Sequence, residues 1–214
     1  MNFSLFAMVE AALIASSLSL DTFTAGFAYG SNKTKIPMSS VHIINLICSG
    51  IIGISLFAGS ILRPYLPYGL TLAISFLVLF IIGLTKLLDS VTKSIIRKHS
   101  GISKEIKVSL LNFRLVLNIY ANPEAVDLDA SKHISSMEAV LLALSLSLDG
   151  IAVGFGAALI NVNAVALVLW SLVTNAMFLV FGHLVGSKIS NRIPFNTSWL
   201  SGLALIGIGI SKFF

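Results

Sequence analysis

Charge is scarce in this chain. Only 11% of its 214 residues are Asp, Glu, Lys or Arg, against about 25% in a soluble domain. With 56% hydrophobic residues and a mean hydropathy of +0.95, the chain has too little polar surface for a water-soluble fold. It reads as a polytopic membrane protein. Cysteine is rarer still. A single thiol, Cys48 in an apolar run, excludes an internal disulfide and leaves the redox compartment open. Histidine and cysteine show no ligand spacing, so His42, Cys48 and His183 are expected to be packing or interface residues. A basic leader with a small-residue cleavage pattern is also missing from MNFSLFAMVEAAL, so this start is expected to be the first span.

What is present is apolar sequence in lengths that fit a bilayer. A span needs roughly 20 residues, and six are predicted near 4–30, 41–62, 68–89, 137–160, 164–187 and 197–214. Polar or proline-bearing breaks separate them: Asn32 to Pro37, Arg63-Pro64-Tyr65-Leu66-Pro67, Asn161-Val162-Asn163 and Asn191 to Asn196. The net charge of +5 is unevenly placed. The side reached after spans one, three and five carries Lys33, Lys35, Lys86, Lys93, Arg97, Lys98, Lys104, Lys107, Arg114, Lys132, Lys188 and Arg192. The other side carries Arg63 and Lys212. The positive-inside rule puts the first set in the cytoplasm and both termini outside. The basic balance is thus a topology signal, and no nucleic-acid partner is expected.

Two aspartates interrupt this apolar sequence in the same way. Residues 10–30 read EAALIASSLSLDTFTAGFAYG and residues 138–158 read EAVLLALSLSLDGIAVGFGAA. Eleven of the 21 positions are identical, including Glu10/Glu138, Ser17/Ser145, Asp21/Asp149 and Gly26/Gly154. Residues 74–88 align likewise with 200–214, pairing Ser75/Ser201, Gly83/Gly209 and Lys86/Lys212. A unit of three helices is repeated, and an odd number of spans forces the two copies into opposite orientations. The expected fold is therefore all-α, six transmembrane helices as a 3+3 inverted repeat. Residues 1–89 and 137–214 are the repeats and 90–136 is a cytoplasmic loop. Such repeats place their sites near midplane at the repeat interface.

An ionised carboxylate at the bilayer centre costs at least about 2.5 kcal/mol, so such residues usually face a protein interior and mark a functional path. Asp21 lies roughly 16 Å along the helix from Glu10 and 13 Å from Gly30, near half a hydrocarbon core each way. The repeat axis would bring Asp21 and Asp149 to one depth. Ser17 and Ser145 sit four residues earlier, on the same helical face. Gly26-x-x-x-Gly30 and Gly150-x-x-x-Gly154 allow close helix approach. Two nearby carboxylates share either a proton or a cation. Carboxylate and hydroxyl oxygens suit Mg, Ca or Mn. Asn175 is a further candidate ligand, with interhelical hydrogen bonding as its alternative. A purely structural polar pair is the alternative for the aspartates. Catalysis is not expected, because the Gly-x-Gly-Asp motif of intramembrane aspartyl proteases precedes neither Asp21 nor Asp149.

The central loop starts basic. Its stretch from Ile106 to Tyr120 is semi-apolar and reads as a small hairpin or an interfacial helix, alternation favouring the hairpin. Beyond it, Asp127, Asp129, Ser131, Ile134 and Glu138 fall at positions 1, 3, 5, 8 and 12 of an EF-hand loop, with His133 at position 7. Lys132 replaces the position-6 glycine. A second metal site and a helix-capping loop are the two readings.

The repeated Ser-x-Ser-Leu-Asp, followed by Ala25-Gly26 and Val153-Gly154, resembles the MntP family of manganese efflux pumps within the lysine-exporter-like superfamily. The closing LALIGIGISKFF resembles that family's last helix. The run from Asn122 to Ser131, with Ile134-Ser135 and Glu138-Ala139, is similar to the YtaF branch of sporulation membrane proteins. The resemblance implies export of a divalent cation, manganese foremost; the hard oxygen ligands and the EF-hand-like loop add calcium as a second candidate, as substrate or regulator, and no tightly bound cofactor is expected. It puts Asp21 and Asp149 on the family's acidic positions and Lys86 where the pumps have a basic residue. The family's glutamate in the second helix has no counterpart in Ser49-Gly50-Ile51-Ile52-Gly53-Ile54. A bacterial cytoplasmic membrane is the implied location. The bilayer and a metal ion are the expected partners, with a homo-oligomer left open. The alternatives are an exporter of another small solute and a sporulation-linked membrane protein without transport.

Overall fold

The computed structural model describes residues 5–87, 116, 119–120, 126–127, 131–160, 162–188, 206 and 210. The predicted sixth span lies outside these residues apart from Ile206 and Ile210, both helical. The described chain is all-helical, with a single isolated bridge between Lys35 and His133. The first helix, α1, covers Leu5–Ser31, and α2 covers Met38–Leu62 after the extended Pro37. One 3-10 turn at Arg63–Tyr65, with Pro64 inside it, ends α2, and α3 runs from Tyr68 to Leu87. Next come α4, Ser136–Leu146, α5, Leu148–Leu159, and α6, Ala164–Lys188.

Four of these helices are long and apolar enough to cross a membrane, and the bent pair α4–α5 makes a fifth when counted as one span. That span was expected as one helix over 137–160. Instead it bends by 46° at Ser147. The Ser147 hydroxyl donates to the Ala143 carbonyl at 2.6 Å, a back-bond that commonly bends helices. Gly150, a weak helix former, follows within the next turn.

Large apolar side chains face outward, among them Ile54, Phe57 and Ile61 of α2 and Val173, Met177 and Phe181 of α6. Lipid is the solvent that tolerates such a surface, and helices satisfy their backbone within it. Inside, two apolar clusters form. One gathers Ala11, Ile14 and Leu18 of α1 with Ile52, Leu56, Leu79, Val153, Ala157 and Leu167. The other gathers Ala25 and Tyr29 with Val41, Ile44, Cys48, Leu142, Ala143 and Leu179. Between them along the helices lies a polar girdle: Ser19, Asp21 and Thr22, then Ser49, then Ser145, Ser147 and Asp149, then Thr174 and Asn175.

The central segment also enters this interior. Ile119, Val126 and Ile134 are fully buried in the second cluster. Val116, Ile119 and Tyr120 are helical, which corrects the hairpin expectation at these positions. A spacing of three puts Val116 and Ile119 on one helical face, and both are buried.

Candidate functional site

The helix pairing sets the geometry. Helix α1 lies along α6, while α2 lies along α4 and α5. Gly26 and Gly30 face the backbone carbonyls of Leu179 and His183, and Gly182 and Gly186 face those of Phe23 and Phe27. A Cβ at any of the four would collide with a carbonyl oxygen. The α1–α6 seam is thus backbone on backbone, the close approach that small residues permit in membranes. On the other seam, a Cβ at Gly154 would meet Ser55 Cβ at 3.1 Å and one at Gly59 would meet Ala158 Cβ at 2.7 Å. The first motif was expected from sequence. Gly182-x-x-x-Gly186 was missed, although its spacing was legible.

These seams bring Asp21 and Asp149 to one cation. Lys86, in the last turn of α3, donates to Asp21 Oδ2 and lies 3.1 Å from Asp149 Oδ2. The lysine side chain is only 3% exposed, and the aspartates 13% and 18%. Sequence reasoning had counted Lys86 among the loop charges. Its alkyl stem instead carries the ammonium into the bundle. A hydropathy window does not record where a long side chain turns, but the Lys86/Lys212 match across the repeat was a signal. Tyr120 was missed as well. Its hydroxyl lies 3.4 Å from both carboxylate oxygens of Asp149, a long contact on the central-segment side.

The other expected ligands divide. Ser17 donates to the Leu13 carbonyl at 2.8 Å, within its own helix. Ser145 is 1% exposed and its hydroxyl has no hydrogen-bond partner among the described residues. Ser49 is in the same state. Asn175 Oδ1 accepts from Ser19 at 2.9 Å and lies 3.4 Å from Thr22 Oγ1. Ser19 Oγ also lies 2.8 Å from Ala15 O and from Thr174 Oγ1, so its one proton is shared among three acceptors. Asn175 therefore pins α1 to α6. His183 Nε2 lies 2.9 Å from the Thr34 carbonyl, and Cys48 is a buried free thiol 3.6 Å from Ala143 O.

In the EF-hand-like segment, Asp127 accepts from the backbone N–H groups of Ser131 and Lys132, each at 3.0 Å. Lys132 takes the left-handed conformation, φ 57°, at the position where the pattern calls for glycine. Glu138 closes a capping box with Ser135 at the start of α4. Ser131 and His133 are exposed and bond to each other, Ser131 Oγ lying 3.0 Å from His133 O. Asp129 lies outside the described residues. Among the described residues no three His, Cys, Asp or Glu side chains gather closely enough to hold an ion.

Comparison with known proteins gives the family. The family model described as "Putative manganese efflux pump" matches residues 106–213. "Probable sporulation protein YtaF" of Bacillus subtilis (strain 168) is 30% identical over 207 residues, covering 96% of this chain and 99% of the relative. "Probable manganese efflux pump MntP" of Escherichia coli O7:K1 (strain IAI39 / ExPEC) is 24% identical over 198 residues, covering 92% of each. No solved structure matches the chain significantly. A multi-pass helical membrane protein matched over nearly its whole length by YtaF, and over half of it by the family model, belongs to the MntP family.

Proposed function

We propose that this protein exports a divalent cation, manganese foremost, across the cytoplasmic membrane through a site made by Asp21 and Asp149. One observation carries the reading: a single ammonium, that of Lys86, touches both carboxylates inside the bundle. Two carboxylates that converge on one cation supplied by the chain can converge on a cation supplied from outside. Their oxygens, with the Ser145 hydroxyl nearby in sequence, which has no partner among the described residues, form a hard ligand set of the kind manganese, magnesium and calcium prefer. The outward direction rests on the word efflux in the relative's name and the family description.

The 3+3 inverted repeat belongs to the same proposal. The α1–α6 and α2–α5 seams support it, because they pair the first helix of each unit with the second helix of the other. The polar girdle between two apolar clusters supports a midplane site. Both termini lie outside on the lysine and arginine count, which remains lopsided with Lys86 removed from the loop set.

Asp21→Asn and Asp149→Asn keep side-chain size and remove the charge. Each should reduce manganese flux in vesicles to background, with the protein still folded by gel filtration and circular dichroism. Wild-type flux in both variants would leave the aspartates as packing residues, whereas background flux in the wild type itself would favour the role without transport.

A further inference from the structure

Lys86 is a cation that the site already owns. It is almost wholly buried, and its ammonium contacts one oxygen of each aspartate. Two carboxylates and one ammonium sum to a single negative charge. A divalent ion placed beside the bound ammonium would make the group net positive in a poorly screened interior, and like charges at such range repel strongly. The ammonium also already contacts one oxygen of each carboxylate, Asp21 Oδ2 and Asp149 Oδ2, so an ion bridging the pair would compete with it for that space. The two cations therefore exclude each other.

We propose that Lys86 is a tethered counter-cation that the transported ion must displace, and that it makes the site a filter for valence. This rests on the reading of Asp21 and Asp149 as the cation site. A tethered group competes at an effective concentration of about millimolar or more. Free potassium or sodium brings the same single charge as the ammonium, so it gains nothing electrostatically on replacing it. A divalent ion brings twice the charge and displaces it. The lysine leaves on a flexible four-carbon stem near the end of α3, which lets the head move while the helix stays in place. When the ion departs, the ammonium returns and offsets one of the two buried carboxylates. The empty carrier can then reorient without two uncompensated charges inside the membrane.

The test uses purified full-length protein, manganese binding by calorimetry, and flux in proteoliposomes. Lys86→Gln should lower the dissociation constant for manganese by about tenfold or more, since a close competing charge is removed. Potassium at about 100 mM should then inhibit manganese binding, as it does not in the wild type. Net efflux should fall several-fold while exchange of manganese for labelled manganese persists, because only net transport needs the empty carrier. Lys86→Arg, which keeps a cation on the carboxylates, should retain the valence filter. A purely structural lysine would give weaker binding and parallel loss of net flux and exchange, and that outcome overturns the proposal, as does unchanged affinity. Should Lys86→Gln not fold, the substitution is made in Asp149→Asn, where the site never exceeds the wild-type negative charge. It must raise manganese affinity over Asp149→Asn alone, and equal affinity overturns the proposal. Asp21→Asn in the same assay separates the two readings. If it abolishes binding while Lys86→Gln changes nothing, only the counter-cation fails. If it binds as the wild type does, the aspartate site itself fails.

Discussion

The two aspartate-bearing spans share eleven of 21 residues yet differ in shape. Helix α1 is continuous for 27 residues, whereas its counterpart breaks at Ser147 into α4 and α5. Both carry a serine two residues before the aspartate, and both serines back-bond to the fourth residue before them. The back-bond alone therefore does not bend a span. Two differences remain. Ser19 bonds to polar partners on α6, Thr174 and Asn175, while Ser147 pairs across to the thiol of Cys48 on α2, a weaker partner. Thr22 follows Asp21, while Gly150 follows Asp149. The span with a cross-helix pin and no glycine beside its aspartate stays continuous. As a result Asp149 sits in the first turn of a new helix and Asp21 in the middle of an old one.

The seams that hold these spans differ in the same direction, and four substitutions sharpen the contrast. The largest effect is expected at Gly30→Ala and Gly186→Ala, where the added methyl meets a backbone carbonyl that cannot move alone. Each should cost about 3 kcal/mol in reversible unfolding from detergent, at the upper end of ordinary overpacking. Equal stability to wild type would mean that α1 and α6 do not meet as described. Asn175→Ala should cost about 1 kcal/mol, as intramembrane hydrogen bonds usually do, and should leave the manganese dissociation constant unchanged. A large loss of affinity would instead make Asn175 a ligand, the role sequence suggested beside pinning. Gly150→Ala is the smallest. Its methyl meets only the Ile52 side chain, at 3.2 Å, while helix propensity improves by about 1 kcal/mol. Stability should change by less than about 0.5 kcal/mol, and spin-label distances across Ser147 should report a straighter span. An unchanged bend would assign the break to Ser147 and Cys48 alone.

Much of this was legible in the sequence, and the reasons are local. Five of the six expected spans coincide closely with described helices because a lipid solvent demands long uninterrupted apolar runs. The aspartate pair was legible because a carboxylate in such a run stands out and was written twice. The role of the two serines was less so. Ser17 and Ser145 occupy matching positions, but one hydroxyl is spent on its own helix and the other is not. Tyr120 and Ile119 were read as part of a surface segment because periodicity is silent about what a connection packs against. Lys86 falls both in the topology count and on the family's basic position, but neither reading puts it against the aspartates, because counting places residues along the chain and not in space.

The sequence by itself determined that this is a helical membrane protein with two equivalent acidic positions, since bilayer thickness and the cost of buried charge act residue by residue. Only the tertiary structure decided that both positions meet one lysine. Lys86 lies 65 residues from Asp21 in the chain. The meeting of its ammonium with two carboxylates from separate spans depends on how α1, α3 and α5 are brought together. That juxtaposition is set by glycine seams and apolar clusters formed elsewhere in the bundle, whose energies no local pattern records.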